Sequence, residues 1–269
     1  MDKLYFGPAG IPNSAEKRDL LNGLKTVKNL GLDAMELEFV YGVRYNPRVL
    51  PLVKEFAQKN NIVLTAHAPY YINLAAKEKE KIEKSIKYIL DTARVLNELN
   101  GYSIVFHPGY YMKRDPKEVY KIVKENLAKV LEMANQEGIK VWIRPETMDL
   151  PSRFGSLEET FELARELGTL PCIDFAHLRY RYKNNKPEFF RQVLEKYEEY
   201  FGKEGLKNMH IHMSGINLDP RASHKNLKES DMPWQEILDL LKEFNAKGVV
   251  ISESPNLEED AIMMKKYYG

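Results

Sequence analysis

Residues 102–146 read YSIVFHPGYYMKRDPKEVYKIVKENLAKVLEMANQEGIKVWIRPE. Two short runs rich in β-branched and aromatic residues, YSIVFHP (102–108) and KVWIRPE (140–146), flank a long charged segment. That segment carries apolar residues at helical spacing. Asp115 stands where an N-cap belongs, Pro116 takes the first helical position, and Gly138 closes the run. A strand, a helix and a second strand joined this way demand parallel pairing with a right-handed crossover. Both strands also end on residues that bind metals, His107 and Glu146.

The unit repeats in both directions. The other candidate strands are KLYFGPA (3–9), AMELEFV (34–40), IVLTAHA (62–68), PCIDFAH (171–177), NMHIHMS (208–214) and VVISESP (249–255). Helical patterns separate them. AEKRDLLNGLKTVKNLG (15–31) ends at Gly31, and SLEETFELARELG (156–168) opens on a Ser156–Glu159 capping box and ends at Gly168. Eight strand–helix units within 269 residues predict an α/β fold of the (β/α)8 TIM barrel type. A doubly wound open sheet is the alternative, but no GxGxxG turn follows the first strand. The chain shows no linker or low-complexity segment, so a single domain over residues 1–269 is expected. The longest irregular stretch, 215–232, follows the seventh strand, and loops of that length are often functional.

Composition narrows the class. Hydrophobic residues make up 43% and charged residues 29%, which fits a globular protein with a sizeable core. There is no apolar run long enough to cross a membrane and no signal-peptide pattern, and the single Cys172 excludes an intrachain disulfide framework. A cytoplasmic location is expected. The net charge of +1 is not the balance of a protein that coats nucleic acid non-specifically, though it permits a local basic face. Lys and Glu dominate and only four Gln occur, which leans toward a thermophilic source.

The histidines suggest the chemistry. His67, His107, His177, His210 and His212 lie in or at the end of predicted strands, and His224 lies in the long loop. Glu146, Asp174 and Glu253 join them at the strand ends. In a barrel these ends converge on one mouth. A lone strand histidine is more often a hydrogen-bonded core residue than a ligand. This many imidazoles and carboxylates would be costly to bury together without cations. Nitrogen and carboxylate donors suit Zn²⁺, with Mn²⁺ or Fe²⁺ as alternatives. The donors are too many for one tetrahedral ion, and Glu146 is well placed to bridge two.

Taken together, LTAHAPYYINLA (64–75), VFHPG (105–109), RPET (144–147), CIDFAH (172–177), MHIH (209–212), HKNL (224–227) and ISESP (251–255) resemble the strand-end motifs of endonuclease IV, in order and across most of the chain. The resemblance implies a Zn-dependent barrel enzyme that cleaves DNA on the 5′ side of an abasic site. Its partner would be damaged double-stranded DNA, met by a monomer. It also implies three metal positions. His67, His107 and Glu146 would hold the first; Glu146, Asp174, His210 and Glu253 the second; His177 and His224 would contribute to the third. The family places an Asp two residues before the His matching His224, where this chain has Ala222. Two or three Zn²⁺ ions are therefore expected, with Asp219 or His212 as substitutes for the missing carboxylate. Glu146 and Glu253 are the expected catalytic residues, with a metal-activated water as nucleophile.

On the substrate side, Tyr70 resembles a loop tyrosine that pushes into the duplex at the abasic gap. Arg44, within FVYGVRYNPR (39–48), resembles an arginine inserted through the base stack. His212 completes the expected substrate contacts. YYMKR (110–114) and LRYRYKNNK (178–186) are expected to face the nucleic acid. After Glu146 the family usually runs through a loop containing Gly and Gln, where this chain reads TMDLPSRFGS (147–156). Two other classes remain open. A sugar isomerase or epimerase on the same barrel would need only one ion, on Glu146, Asp174, His210 and Glu253. A DNA-binding barrel without cleavage would bind abasic or nicked duplex and leave it uncut.

Overall fold

The computed structural model of the protein describes residues 1–219 and 223–269. Eight strands form the barrel: β1 (Leu4–Pro8), β2 (Ala34–Glu38), β3 (Val63–His67), β4 (Ser103–Phe106), β5 (Trp142–Pro145), β6 (Cys172–Asp174), β7 (Met209–Met213) and β8 (Gly248–Ser252). All pair in parallel, in two arcs: β6–β7–β8–β1 and β2–β3–β4–β5. A single parallel bridge closes each seam, Ala9 with Glu36 and Glu146 with Cys172. The Gly10 N–H donates to the Glu36 carbonyl at 2.9 Å, and the Thr147 N–H to the Cys172 carbonyl at 3.1 Å. At the first seam the backbones nearly touch. A Cβ on Gly7 would lie 1.8 Å from the Ala34 carbonyl oxygen, so only glycine fits there. The fold is the (β/α)8 barrel expected from the repeat.

The helices are α1 (Leu20–Asn29), α2 (Leu50–Lys59), α3 (Lys79–Glu98), α4 (Pro116–Gln136), α5 (Leu157–Leu167), α6 (Phe175–Tyr182), α7 (Pro187–Leu206), α8 (Trp234–Glu243) and α9 (Glu258–Tyr268). Their ends follow the local chemistry. The Asp115 side chain caps α4 with Pro116 in the first turn, and Ser156 and Glu159 form the capping box of α5. Gly168 takes the left-handed conformation that ends α5. The main core lies between helices and strands, and the two-residue period of each strand sorts its side chains. On β7, Met209, Ile211 and Met213 join the main core, while His210 and His212 point into the barrel.

Two expectations change at the strand ends. The run 171–177 is not all strand: β6 stops at Asp174, whose carboxylate accepts the His177 N–H at 2.7 Å and caps α6. His177 therefore stands in a first helical turn, and two helices follow β6 where one was expected. The 215–232 loop, expected to be irregular, contains regular structure. Gly215–Ile216 pairs antiparallel with His224–Lys225, and Leu227–Glu229 makes a short 3₁₀ turn. Ala222 lies outside the described residues. Among the described residues, no helix is long and apolar enough to cross a membrane.

Candidate metal centre

β3 ends on His67, and His107 and Glu146 immediately follow the ends of β4 and β5. Parallel strands bring all three to the same mouth. His67 Nε2 lies 3.3 Å and His107 Nε2 3.1 Å from Glu146 Oε2. His67 Nδ1 lies 2.7 Å from the Ala68 carbonyl, a contact that places the ring proton there and leaves Nε2 for the centre. These three residues offer ligand atoms within 4.8 Å of one another.

The other Glu146 oxygen faces a second group. Oε1 is 3.1 Å from His212 Nδ1, and Glu253 Oε1 is 3.3 Å from the same nitrogen. Asp174 completes this set of Glu146, Asp174, His212 and Glu253, again with ligand atoms within 4.8 Å. Asp174 Oδ2 is buried without a hydrogen-bond partner. Glu146 therefore belongs to both groups, one oxygen turned toward each.

The electrostatics reflect this crowding. Burial pushes the Glu253 carboxyl well above the usual carboxylate range, and the nearby Glu146 and Asp174 charges push the same way. Burial alone would depress the imidazoles. At His67 the carboxylates of Glu146 and Glu38 outweigh it and raise the pKa to about 9, whereas at His107 burial prevails and takes it down to about 4. Burial also raises Glu146, but His212 and His107 overcome this and hold it well below the usual range. A buried carboxylate oxygen with no hydrogen bond, three carboxylates at one mouth, and nitrogen donors among them fit divalent cations. One ion fits His67, His107 and Glu146, and a second fits Glu146, Asp174, His212 and Glu253.

His210 and His212, expected as a metal ligand and a substrate contact respectively, stand at different depths. Residues two apart share one face, so both point inward, but His210 sits one layer deeper. Register pairs it with Cys172, while His212 pairs with Asp174 at the strand end. His210 Nε2 is 3.0 Å from Glu36 Oε2, and its Nδ1 is 2.7 Å from Ser103 Oγ. It is occupied within the barrel and is absent from the group containing Asp174 and Glu253. Cys172, His210 and His212 form a further close group, but burial pushes the Cys172 thiol up and disfavours the thiolate.

The sequence reading missed Glu36. Its Oε1 lies 2.9 Å from His212 Nε2, and its Oε2 accepts from Thr65 Oγ1 at 2.7 Å. A carboxylate behind Nε2 turns Nδ1 toward Glu146 and Glu253. Glu38, two residues on, pairs in register with His67. Burial raises its carboxyl to about 7, and its Oε1 has no hydrogen-bond partner. The signal was available in AMELEFV, where two acids stand at strand period in an otherwise apolar run.

The third expected position is only partly assembled. The His177 and His224 rings are 5.6 Å apart. His177 Nδ1 lies 3.0 Å from the Thr147 carbonyl, and His224 Nδ1 2.6 Å from Ser214 Oγ, which leaves Nε2 of each available. Among the described residues no carboxylate joins both in a close group.

On the substrate side, Tyr70 is 42% exposed and stacks on His107 at 5.3 Å and 18°. Arg44 is exposed in the loop after β2, without a partner among the described residues. Within the basic stretch 178–186, Arg179 and Arg181 turn toward the protein, while Lys183 and Lys186 are exposed. Arg179 is buried and pairs with Asp231 at 2.6 Å. Arg181 Nη1 donates to the carbonyls of Leu150 at 2.9 Å and Arg153 at 3.1 Å. Both side chains lie on α6: Arg181 braces the loop after β5, and Arg179 ties the helix to Asp231 in the loop after β7.

The profile of a family described as xylose isomerase-like TIM barrel matches residues 24–267. The chain is 44% identical over 270 residues to an uncharacterized protein of Methanocaldococcus jannaschii, across 99% of this chain and 97% of the other. It is 28% identical over 196 residues to a probable endonuclease 4 of Aquifex aeolicus, across 71% and 68%. Two solved structures share the fold. Endonuclease IV from Thermus thermophilus superposes with a TM-score of 0.77 at 19% identity, across 98% and 97% of the chains. A D-tagatose 3-epimerase-like protein also gives 0.77, at 22% identity across 98% and 95%.

Proposed function

Since the chain belongs to the xylose isomerase-like TIM barrel family, with endonuclease 4 proteins among its relatives, we propose that it is a metal-dependent phosphodiesterase that incises DNA at abasic sites. One observation carries this reading: the His67–His107–Glu146 group stands beside the Glu146–Asp174–His212–Glu253 group and shares a carboxylate with it. Two adjacent cation positions suit an in-line displacement at phosphorus better than a single position does. Divalent ions held there, Zn²⁺ or Mn²⁺, would supply an acidified water and neutralise charge on phosphate oxygens.

The chain's own groups do the rest. Glu146 fixes the spacing of the two positions through its two oxygens. Glu253, at the edge of the second group, orients the attacking water. Tyr70 offers a flat face above His107 to an extruded sugar. Arg44 carries a free charge toward the phosphate backbone. Together the two groups draw on strands from both arcs, which supports a single working domain over residues 1–269.

The test is incision of a duplex carrying one abasic site, with and without chelator, by the wild-type protein and Glu146→Gln. Incision is expected to be chelator-sensitive and to fall more than about 100-fold in the variant. Full activity in a pure Glu146→Gln preparation would sink the assignment.

A second reading, a metal-dependent sugar isomerase or epimerase, is favoured by a specific observation. Glu146, Asp174, His212 and Glu253 form a complete one-ion set, and the cavity above them, about 330 Å³, has the size of a small-molecule site. One ion per chain with turnover of a polyol would select this reading. Two or three ions with incision would select the first.

A further inference from the structure

We propose that Arg153 is a phosphate-binding residue of the mouth and supplies the positive charge of the incomplete third metal position; this rests on the phosphoryl-transfer reading of the site. Arg153 lies in the loop after β5, the segment whose sequence departs from the endonuclease IV pattern. That loop is firmly built. Gly109–Tyr110 pairs antiparallel with Arg153–Phe154, the Met148 N–H donates to the Gly155 carbonyl at 2.7 Å, and Arg181 braces the loop from below. A Cβ on Gly155, whose φ is +123°, would lie 2.7 Å from Met148 Cγ, so the turn needs glycine.

The loop delivers Arg153 to the 330 Å³ cavity, whose wall also includes His107, His177, His224 and Glu253. Among the described residues lining it, Arg153 is the one Lys or Arg. Its guanidinium lies 5.9 Å from the centre of the Tyr110 ring. Nη1 is 3.2 Å from Asp149 Oδ1, while Nε is buried without a hydrogen-bond partner. Asp149 Oδ1 already accepts the Leu150 N–H at 2.7 Å, so it is a shared partner. A planar guanidinium with an unused Nε–H, at a mouth lined by imidazoles, is a donor set for a phosphate oxygen pair.

The charge balance points the same way. His177 Nδ1 lies 3.4 Å from Asp174 Oδ2 and His224 Nε2 lies 3.9 Å from Glu253 Oε2, but among the described residues no close group of ligand atoms holds both histidines. A guanidinium on the same cavity wall places a fixed positive charge there, with no need for a third ion. The ligand chemistry is a phosphate ester, whether within a nucleic acid or on a small sugar.

The test measures inorganic phosphate binding to the metal-loaded protein by calorimetry, with metal content checked in every variant. Arg153→Met is expected to weaken binding at least about tenfold, and Arg153→Lys to retain part of it. Asp149→Asn releases Arg153 from its partner and is expected to preserve or strengthen binding. Unchanged affinity in Arg153→Met overturns the proposal. So does an equal loss in Asp149→Asn, because a residue that merely closes the loop through Asp149 would respond alike to both changes. Competition by ribose 5-phosphate and by an abasic duplex then separates the two sources of phosphate. If Arg153→Met loses phosphate affinity while the wild type leaves the duplex uncut, Arg153 keeps its role and the DNA reading falls. Incision by the wild type, with Arg153→Met matching it in both KM and phosphate affinity, removes Arg153 and keeps the DNA reading.

Discussion

Replacing Glu36 by Gln removes one negative charge and one acceptor from beneath the centre, with almost no change in volume. Glu36 uses both oxygens: Oε1 faces His212 Nε2 at 2.9 Å, and Oε2 faces His210 Nε2 at 3.0 Å and Thr65 Oγ1 at 2.7 Å. Gln keeps only one oxygen. If its amide nitrogen turns toward His212, Nε2 must become an acceptor and the ring proton moves to Nδ1, the nitrogen facing Glu146 and Glu253. If it turns toward His210, that ring can donate from Nδ1 to Ser103 Oγ and His212 keeps its tautomer, but the charge behind His212 is still gone. Loss of such a partner weakens metal binding by about 10–100-fold, which is about 1.4–2.7 kcal/mol. An ion held by Glu146, Asp174, His212 and Glu253 would respond, and one held by His67, His107 and Glu146 would not. Competition against a chelator, read by the metal released per chain, gives both affinities. Identical release curves for Glu36→Gln and the wild type would refute the reasoning, as would loss of the His67–His107 ion first.

Other changes probe neighbouring parts of the structure. His212→Gln is expected to lose one ion per chain, and His210→Gln to keep the full complement at a stability cost of about 1–3 kcal/mol; elemental analysis with thermal melts separates them, and the opposite pattern would restore the original assignment of His210. In the metal-free protein the His67 pKa is raised to about 9 from the ordinary 6.5. Its stabilising contribution is therefore complete below about 6.5 and lost as pH rises through about 9. Metal uptake must expel that proton, so apparent affinity should climb with pH across the same window; a flat profile in calorimetry would contradict this. Arg181→Gln leaves the carbonyls of Leu150 and Arg153 without their donor and should lower the thermal midpoint by about 5–10 °C. The same change should leave the salt dependence of duplex binding unaltered, because this side chain faces the protein; a reduced salt slope would show it facing the nucleic acid.

The barrel was legible because its signals are local and repeated. Strand runs, capping residues and closing glycines each follow from a few neighbouring residues, as at Asp115–Pro116 and Ser156–Glu159. Most of the centre was legible for a similar reason: a ligand at a strand end needs only the strand to be placed. The errors arose where depth or direction mattered. His210 and His212 share a face, and sequence spacing does not say which lies at the rim; only the register with Cys172 and Asp174 decides. Arg179 and Arg181 looked like part of a cationic surface, but the early end of β6 puts them on a helix, where Asp231 and the loop after β5 take them up. Glu36 and Arg153 were passed over because neither belongs to a family motif. Their importance comes from partners far along the chain, His212 and the cavity wall.

The two seams of the barrel bear on its dynamics. Each arc is stitched internally by a full ladder, yet each seam has a single bridge, backed at one by the Gly10 and Asp33 amide hydrogens and at the other by that of Thr147. His67, His107 and Glu146 stand on one arc; Asp174, His212 and Glu253 stand on the other. An ion held by Glu146, Asp174, His212 and Glu253 would act as a rivet between two half-cylinders. Amide exchange at Thr147 would then report on the rivet: slow when the centre is filled, and first to quicken when a chelator empties it, while the ladders inside each arc keep their protection.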